Sequence, residues 1–416
     1  MYRTLWRWHF YAGLFCMPFI LSLSITGAIF LFKPQINQWL DNPFHNLKVE
    51  GISADPQTQI EAAIKAIPGS SFSSYRLPEH QTQSTIITLT SKGERFWVYV
   101  NPYTLEVLKT RSVDQHIVQI VRELHGELKL GNGGSILIEL VGCWAIVLIL
   151  TGLYLWWPRN GNGLAGIIYP RLRTSKRLFW RDLHAVTGFW VAMFTLFLLI
   201  SGLPWTLVWG SAFKEMRSIG KPAMRQDWSL SHHHSEGENH ALTLTKELLL
   251  KAEALNFAHP VEITIDKRHS FHWKVESQHQ NRPLRATAWF DSHSGEIVKI
   301  QRFADKKLLD QIIGIGIAAH EGHLFGWLNQ LLGLLVTLGL CLVSISGFVM
   351  WRNRKPLSKL GAPPKVTGQK VEYWVVAITL ALALVLPVLA GSLLLLFLTE
   401  KLILQHVPQT RAWLGL

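Results

Sequence analysis

Five stretches of this chain contain no Asp, Glu, Lys or Arg: Trp8–Phe32, Leu140–Pro158, Leu183–Phe213, Gly322–Trp351 and Tyr373–Thr399. A helix needs about 20 consecutive apolar residues to cross the hydrocarbon core of a bilayer, and each stretch supplies them. Inside that core every backbone N–H and C=O must be paired within the segment, so such stretches are helices. The first is too long for a secretory signal and no small-residue cleavage site follows Lys33, so it is read as a retained helix. The three cysteines, Cys16, Cys143 and Cys341, all lie in these stretches and read as small buried hydrophobes; no CxxC pair exists.

Charge sets the orientation. The net charge is +13, and its placement argues for a lipid bilayer as partner, not nucleic acid. Arg159, Arg171, Arg173, Lys176, Arg177 and Arg181 crowd one short loop, and Arg352, Arg354, Lys355, Lys359, Lys365 and Lys370 another. Short basic loops stay cytoplasmic, which places the N-terminus inside and the long segments in the periplasm of a bacterial inner membrane. The expected order is a span at 1–33, an external module at 34–124, a span at 125–158, a cytoplasmic loop at 159–181 and a span at 182–210. A second external module follows at 211–319, then a span at 320–351, a cytoplasmic loop at 352–372, a span at 373–399 and a periplasmic tail at 400–416.

The chain is duplicated. His9, Gly13 and Thr26-Gly27 return as His184, Gly188 and Ser201-Gly202, 175 residues on. His125, Gly131, Gly152 and Trp156 return as His320, Gly326, Gly347 and Trp351, 195 residues on. Each half is therefore span, external segment, span, and the fifth span is appended. Each external segment reads as a small α+β module. The first has a helix near Thr58–Ile67, strands near Ser84–Thr90 and Phe96–Val100, and a turn from Asn101. The second has a helix near Thr243–Ala254, strands near Glu262–Ile265, His272–Glu276 and Arg285–Phe290, and a turn at Asp291–Gly295.

Four histidines sit at repeat-matched span ends, where ionisable side chains are costly and tend to be functional. His9 and His184 lie at the cytoplasmic end, His125 and His320 at the other. Haem b takes one imidazole from each of two facing helices. Gly13 and Gly188 lie four residues after His9 and His184, on the same helix face, and leave room for a flat porphyrin. Two axial histidines leave iron no open position, which favours electron transfer. From His9 to Gly27 a helix rises about 27 Å, so two haems would form a wire across the bilayer. In His320-Glu321-Gly322-His323 either histidine is a candidate, and the repeat favours His320. Arg7 and Arg181 are candidates for haem propionates or membrane-surface anchors. Glu139, whose repeat counterpart is Leu334, is a candidate proton relay or a polar group at the interface. The tract of His232, His233, His234 and His240 with Glu236 and Glu238 is a flexible polar loop or a weak metal site. There is no GxxxxGK[ST] and no dinucleotide fingerprint, and HEGH is too short for the HExxH zinc motif.

These residues resemble the PepSY-associated transmembrane family. The likeness is carried by His9-x-x-x-Gly13, Leu124-His125-Gly126-Glu127-Leu128, the run from Gly152 to Arg159, the run from Phe179 to Gly188, Ser201-Gly202-Leu203-Pro204-Trp205 and His320-Glu321-Gly322. It covers about residues 1–356 and implies a duplicated four-helix transmembrane haem bundle with two b-type haems and two periplasmic PepSY modules. It also implies His9, His184, His125 and His320 as axial ligands. The family includes inner-membrane reductases of siderophore iron. The implied activity is therefore a ferric-siderophore or ferric-chelate reductase, fed by a cytoplasmic or membrane donor such as a flavoprotein or quinol. The resemblance also leaves two other roles open. One is a non-enzymatic membrane protein that binds or regulates a periplasmic peptidase, and the other a quinol-linked carrier to another acceptor. Asn101 and Leu105 stand where the PepSY turn usually has Asp and Gly, which puts the first turn's geometry in question.

Overall fold

The computed structural model describes residues 1–158, 163–219, 243–266, 272–292, 294–364 and 372–416. The chain divides into two compact units. One comprises Met1–Ile29, Arg122–Arg225 and Leu331–Leu416; the other comprises Phe30–Val121 and Gln226–Gln330.

The first unit is a helical bundle. Among the described residues five helices are long and apolar enough to cross a membrane: Tyr2–Leu31, Gly131–Trp156, Lys176–Trp205, Trp327–Arg354 and Pro387–His406. The first four are the expected repeated spans, with shifted starts. His125 lies in a separate helix, Ile117–Glu127, and the second span begins only at Gly131. Between them Leu128, Lys129 and Gly131 all take positive φ. The chain folds back so tightly that a Cβ on Gly134 would sit 1.8 Å from the Glu127 carbonyl oxygen. His320 likewise ends the helix Leu308–His320, and the fourth span starts at Trp327. The breaks are at Gly322 and Gly326, both with positive φ. The second and fourth spans thus begin at Gly131 and Trp327, after positions 125 and 320, because left-handed turns end the histidine-bearing helices first.

The appended segment departs further from expectation. The stretch 373–399 is two helices, Tyr373–Val385 and Pro387–Leu402, broken where Pro387 cannot donate a backbone hydrogen bond. The first starts with Trp374 against Tyr154, ring centres 5.8 Å apart, and ends where Trp209 Nε1 donates to the Val385 carbonyl at 3.0 Å. Leu386 and Leu389 then pack with Cys143, Ile146, Leu199 and Leu203, and the second helix runs back. The Gly415 carbonyl accepts from Arg7 Nη2 at 3.0 Å and the Leu414 carbonyl from the Tyr11 hydroxyl at 2.6 Å. The expected tail on the opposite face therefore lies beside the N-terminus.

The second unit holds one eight-stranded antiparallel sheet. Its strands are β1 (Ser71–Leu77), β2 (Thr85–Ser91), β3 (Glu94–Val100), β4 (Val107–Ser112), β5 (Val261–Asp266), β6 (His272–Ser277), β7 (Ala286–Phe290) and β8 (Ile297–Arg302). The spatial order is β4-β3-β2-β1-β5-β6-β7-β8. The two expected modules share this sheet: β1 pairs with β5 from Ser74↔Thr264 to Leu77↔Val261. Arg76 and Glu262, directly opposite, form an ion pair at 2.9 Å. Helices Pro56–Ala66 and Lys246–Ala254 contribute Ile60, Ala63, Leu248 and Ala252 to a single core with Tyr75, Leu89, Ile263 and Trp273. The two module turns match. Leu105 N–H donates to the Asn101 carbonyl at 2.9 Å and Gly295 N–H to the Asp291 carbonyl at 3.0 Å. Leu105 reaches this geometry at φ +63°, a left-handed conformation that costs a non-glycine residue about 1–2 kcal/mol.

Candidate functional site

His9 and His184 come together at the end of the bundle that carries the basic loops. They project from the first and third spans, with ring centres 6.3 Å apart and planes at 87°. Two imidazoles bound to one metal at about 2 Å per bond place their ring centres roughly 6 Å apart, so the pair has the spacing a shared metal requires. Among the described residues no three His, Cys, Asp or Glu side chains converge as a metal cluster. Two imidazoles alone suit an iron whose remaining four ligands come from a macrocycle.

Each ring is held by the span opposite. His9 Nδ1 lies 3.0 Å from Thr151 Oγ1. His184 Nδ1 lies 2.9 Å from the Val343 carbonyl and 3.3 Å from Ser346 Oγ. The residue after each hydroxyl is a glycine, and the ring fills the place of its missing side chain. A Cβ on Gly152 would stand 3.2 Å from His9 Cε1, and one on Gly347 3.4 Å from His184 Cε1. Gly13 and Gly188 behave differently. A Cβ there would make ordinary contact with Leu148 at 3.7 Å and with Val343 at 3.9 Å, so these two relieve no clash.

At the far end of the first span, Thr26 Oγ1 lies 3.0 Å from His125 Nδ1, and a Cβ on Gly27 would stand 3.3 Å from His125 Cε1. His125 is thus seated as His9 is, at the other end of the bundle. In the sheet-bearing unit, His320 closes its helix. The turn after it is pinned by Asn329, which donates to the Ala319 carbonyl and accepts from Leu324 N–H. His323 is buried there, and its Nε2 has no hydrogen-bond partner.

The Arg7 guanidinium donates to the Pro363 and Gly415 carbonyls and lies over the Tyr11 ring; its donors hold the C-terminal segment. Arg181 is half-exposed, 3.8 Å from Asp182. Asp182 is fully buried and held by Arg171 through Nε at 2.6 Å and Nη2 at 2.9 Å. Trp156 and Trp351, a repeat pair, each donate their indole N–H to a loop carbonyl, Ile167 and Leu360. The buried Glu139 accepts backbone N–H bonds from Val208 at 2.8 Å and Trp209 at 3.0 Å. It caps the helix Val208–Ser218, with both carboxylate oxygens engaged. The histidine tract at 232–240 lies outside the described residues.

The family model for the PepSY-associated TM region matches residues 6–354. The chain belongs to the PepSY-associated TM family. No curated protein matches it. The family match takes in all four repeated spans, every candidate histidine and the whole sheet, and it stops before the helical hairpin at 373–406. Sequence alone points to the histidines and to Thr26 as a repeat-matched position, but assigns no role to Thr26 and does not single out Thr151 or Ser346. Their signal was present in the repeat, where Thr151 and Ser346 are 195 residues apart, as His125 and His320 are.

Proposed function

We propose that this chain is a di-haem b oxidoreductase of the bacterial inner membrane. It carries electrons across the bilayer to reduce a ferric siderophore or other ferric chelate in the periplasm, so that the iron is released for uptake. The observation that carries the reading is the His9–His184 pair, two imidazoles from different spans at the separation of ligands sharing one metal. When bound, haem b supplies one-electron exchange between ferric and ferrous iron. His9 and His184 would hold the inner group. For the outer group the candidates are His125 and its repeat counterpart His320, with His323 the alternative to His320. The two imidazoles, each fixed at Nδ1 by the opposite span, would supply both of the protein's ligands to such a group. The acceptor reaction takes one electron: Fe(III) in the chelate becomes Fe(II), a weaker partner for hard oxygen ligands. The electron comes from a quinol or a flavoprotein on the basic-loop side.

The test is an oxidised and reduced visible spectrum with a pyridine haemochrome count on the detergent-purified protein. The same measurements are made on His9→Ala, His184→Ala, His125→Ala, His320→Ala and His323→Ala. Two b-haems per chain, with one lost per histidine pair, support the reading, and ferric-chelate reduction by the dithionite-reduced protein then identifies the acceptor. A colourless wild-type protein, expressed with haem supplied, sinks it in favour of a non-enzymatic binding protein.

A further inference from the structure

Three hydroxyl-glycine dipeptides meet three candidate ligands in the bundle: Thr26-Gly27 at His125, Thr151-Gly152 at His9 and Ser346-Gly347 at His184. Each hydroxyl has one proton, and each spends it inside its own helix. Thr26 Oγ1 donates to the Ser22 carbonyl at 2.7 Å, Thr151 Oγ1 to Val147 at 2.7 Å and Ser346 Oγ to Leu342 at 2.6 Å. With its proton committed, the oxygen meets the ring only as an acceptor, so the ring nitrogen must donate. Nδ1 therefore carries hydrogen in all three rings, and a neutral imidazole then has its lone pair on Nε2. His184 reaches the same tautomer independently, because the Val343 carbonyl 2.9 Å away can only accept.

We infer that Thr26, Thr151 and Ser346 are positioning residues. They lock His125, His9 and His184 in the Nδ1–H tautomer and so leave the Nε2 lone pair to bind iron, and the glycine after each hydroxyl opens the space for the ring. A hydroxyl bonded to the carbonyl four residues back is common within helices and needs no further partner. That ordinary role explains neither the histidine on each oxygen nor the glycine that follows. The third span carries the same dipeptide, Ser201-Gly202, 175 residues after Thr26-Gly27.

This inference rests on the haem reading, and the experiment separates the two. Haem loss to excess apomyoglobin and the potentiometric midpoint of each haem are measured on the detergent-purified wild type, Thr151→Val, Thr151→Ser, Thr26→Val and Ser346→Ala. Losing a hydrogen-bond partner of a ligating histidine typically weakens metal affinity by about 10- to 100-fold. Thr151→Val should show a loss of that size at one haem only, with its midpoint moved positive as the imidazole becomes less basic. The other haem serves as the internal control of folding. Thr151→Ser should restore both readouts, and Thr26→Val should move the other haem. Ser346→Ala should shift less than Thr151→Val, because His184 keeps the Val343 carbonyl. Two haems in the wild type with Thr151→Val unmoved, or moved equally at both sites, overturns the positioning role. A wild type without haem overturns the underlying reading instead.

Discussion

Replacing Glu139 by leucine, the residue its repeat counterpart Leu334 carries, should destabilise the bundle more than a surface change can. The side chain is buried, and each carboxylate oxygen takes one backbone N–H, from Val208 and from Trp209. Hydrogen bonds to a charged group contribute about 1.5–3 kcal/mol each. Leucine also leaves two helix-start donors facing hydrocarbon without an acceptor. Against this, the variant no longer desolvates a carboxylate. The difference leaves a net loss of about 2–4 kcal/mol. Glu139→Gln keeps one acceptor oxygen and turns an NH2 toward the other donor, so it should fall between wild type and leucine. Thermal unfolding in detergent, followed by tryptophan fluorescence, reads the size of the loss. Limited proteolysis around residues 208–218 reads its location. Unchanged unfolding and proteolysis in Glu139→Leu would refute the capping role. A Glu139→Gln variant that kept full stability but altered the pH profile of electron transfer would return Glu139 to the role of proton carrier.

Three further outcomes are expected. Arg171→Ala should lower the thermal midpoint more than Asp182→Asn, because only the first strands a buried carboxylate without its partner; equal effects would contradict this. His45 and His116 are both held below the ordinary histidine value of 6.5, first by burial, and for His116 next by Arg111. Below 6.5 the unfolded chain then binds more protons than the native one. Stability should be full above that pH and fall as pH drops toward the native values, and a His45→Gln/His116→Gln double variant should flatten the fall between pH 7.5 and 5.5. Finally, reporter fusions at the two termini should read the same side of the membrane, as the Arg7–Gly415 and Tyr11–Leu414 hydrogen bonds require; opposite sides would break the hairpin topology.

The spans and their histidines were legible because lipid demands long uncharged runs and makes every ionisable side chain in them conspicuous. Strands β1, β4 and β8 were not. Ser71–Leu77 is rich in serine, and the outer strands Val107–Ser112 and Ile297–Arg302 carry Lys109, Arg111, Lys299 and Arg302, the basic residues that protect sheet edges from further pairing. The β1–β5 junction joins residues far apart in the chain and has no local signature. The reversal at Leu386-Pro387 had a signal in Pro387, but proline is tolerated within membrane helices, so the residue alone does not separate a kink from a turn back. At the candidate site, spacing identified the histidines. The hydroxyl and glycine that seat each ring acquired meaning only from distances between different spans.

The pairing of β1 with β5 also dictates an order of manufacture. Leu77 leaves the ribosome 184 residues before Val261, its partner in the register (261 minus 77). At 5–20 residues per second, roughly 10–40 s pass between them. During that interval β1 has no β5 to pair with, and two more spans, Gly131–Trp156 and Lys176–Trp205, are synthesised before β5 exists. An open edge is a template for any passing strand. The nascent first half therefore carries an unpaired β1 edge until the third span has been made and β5 follows it.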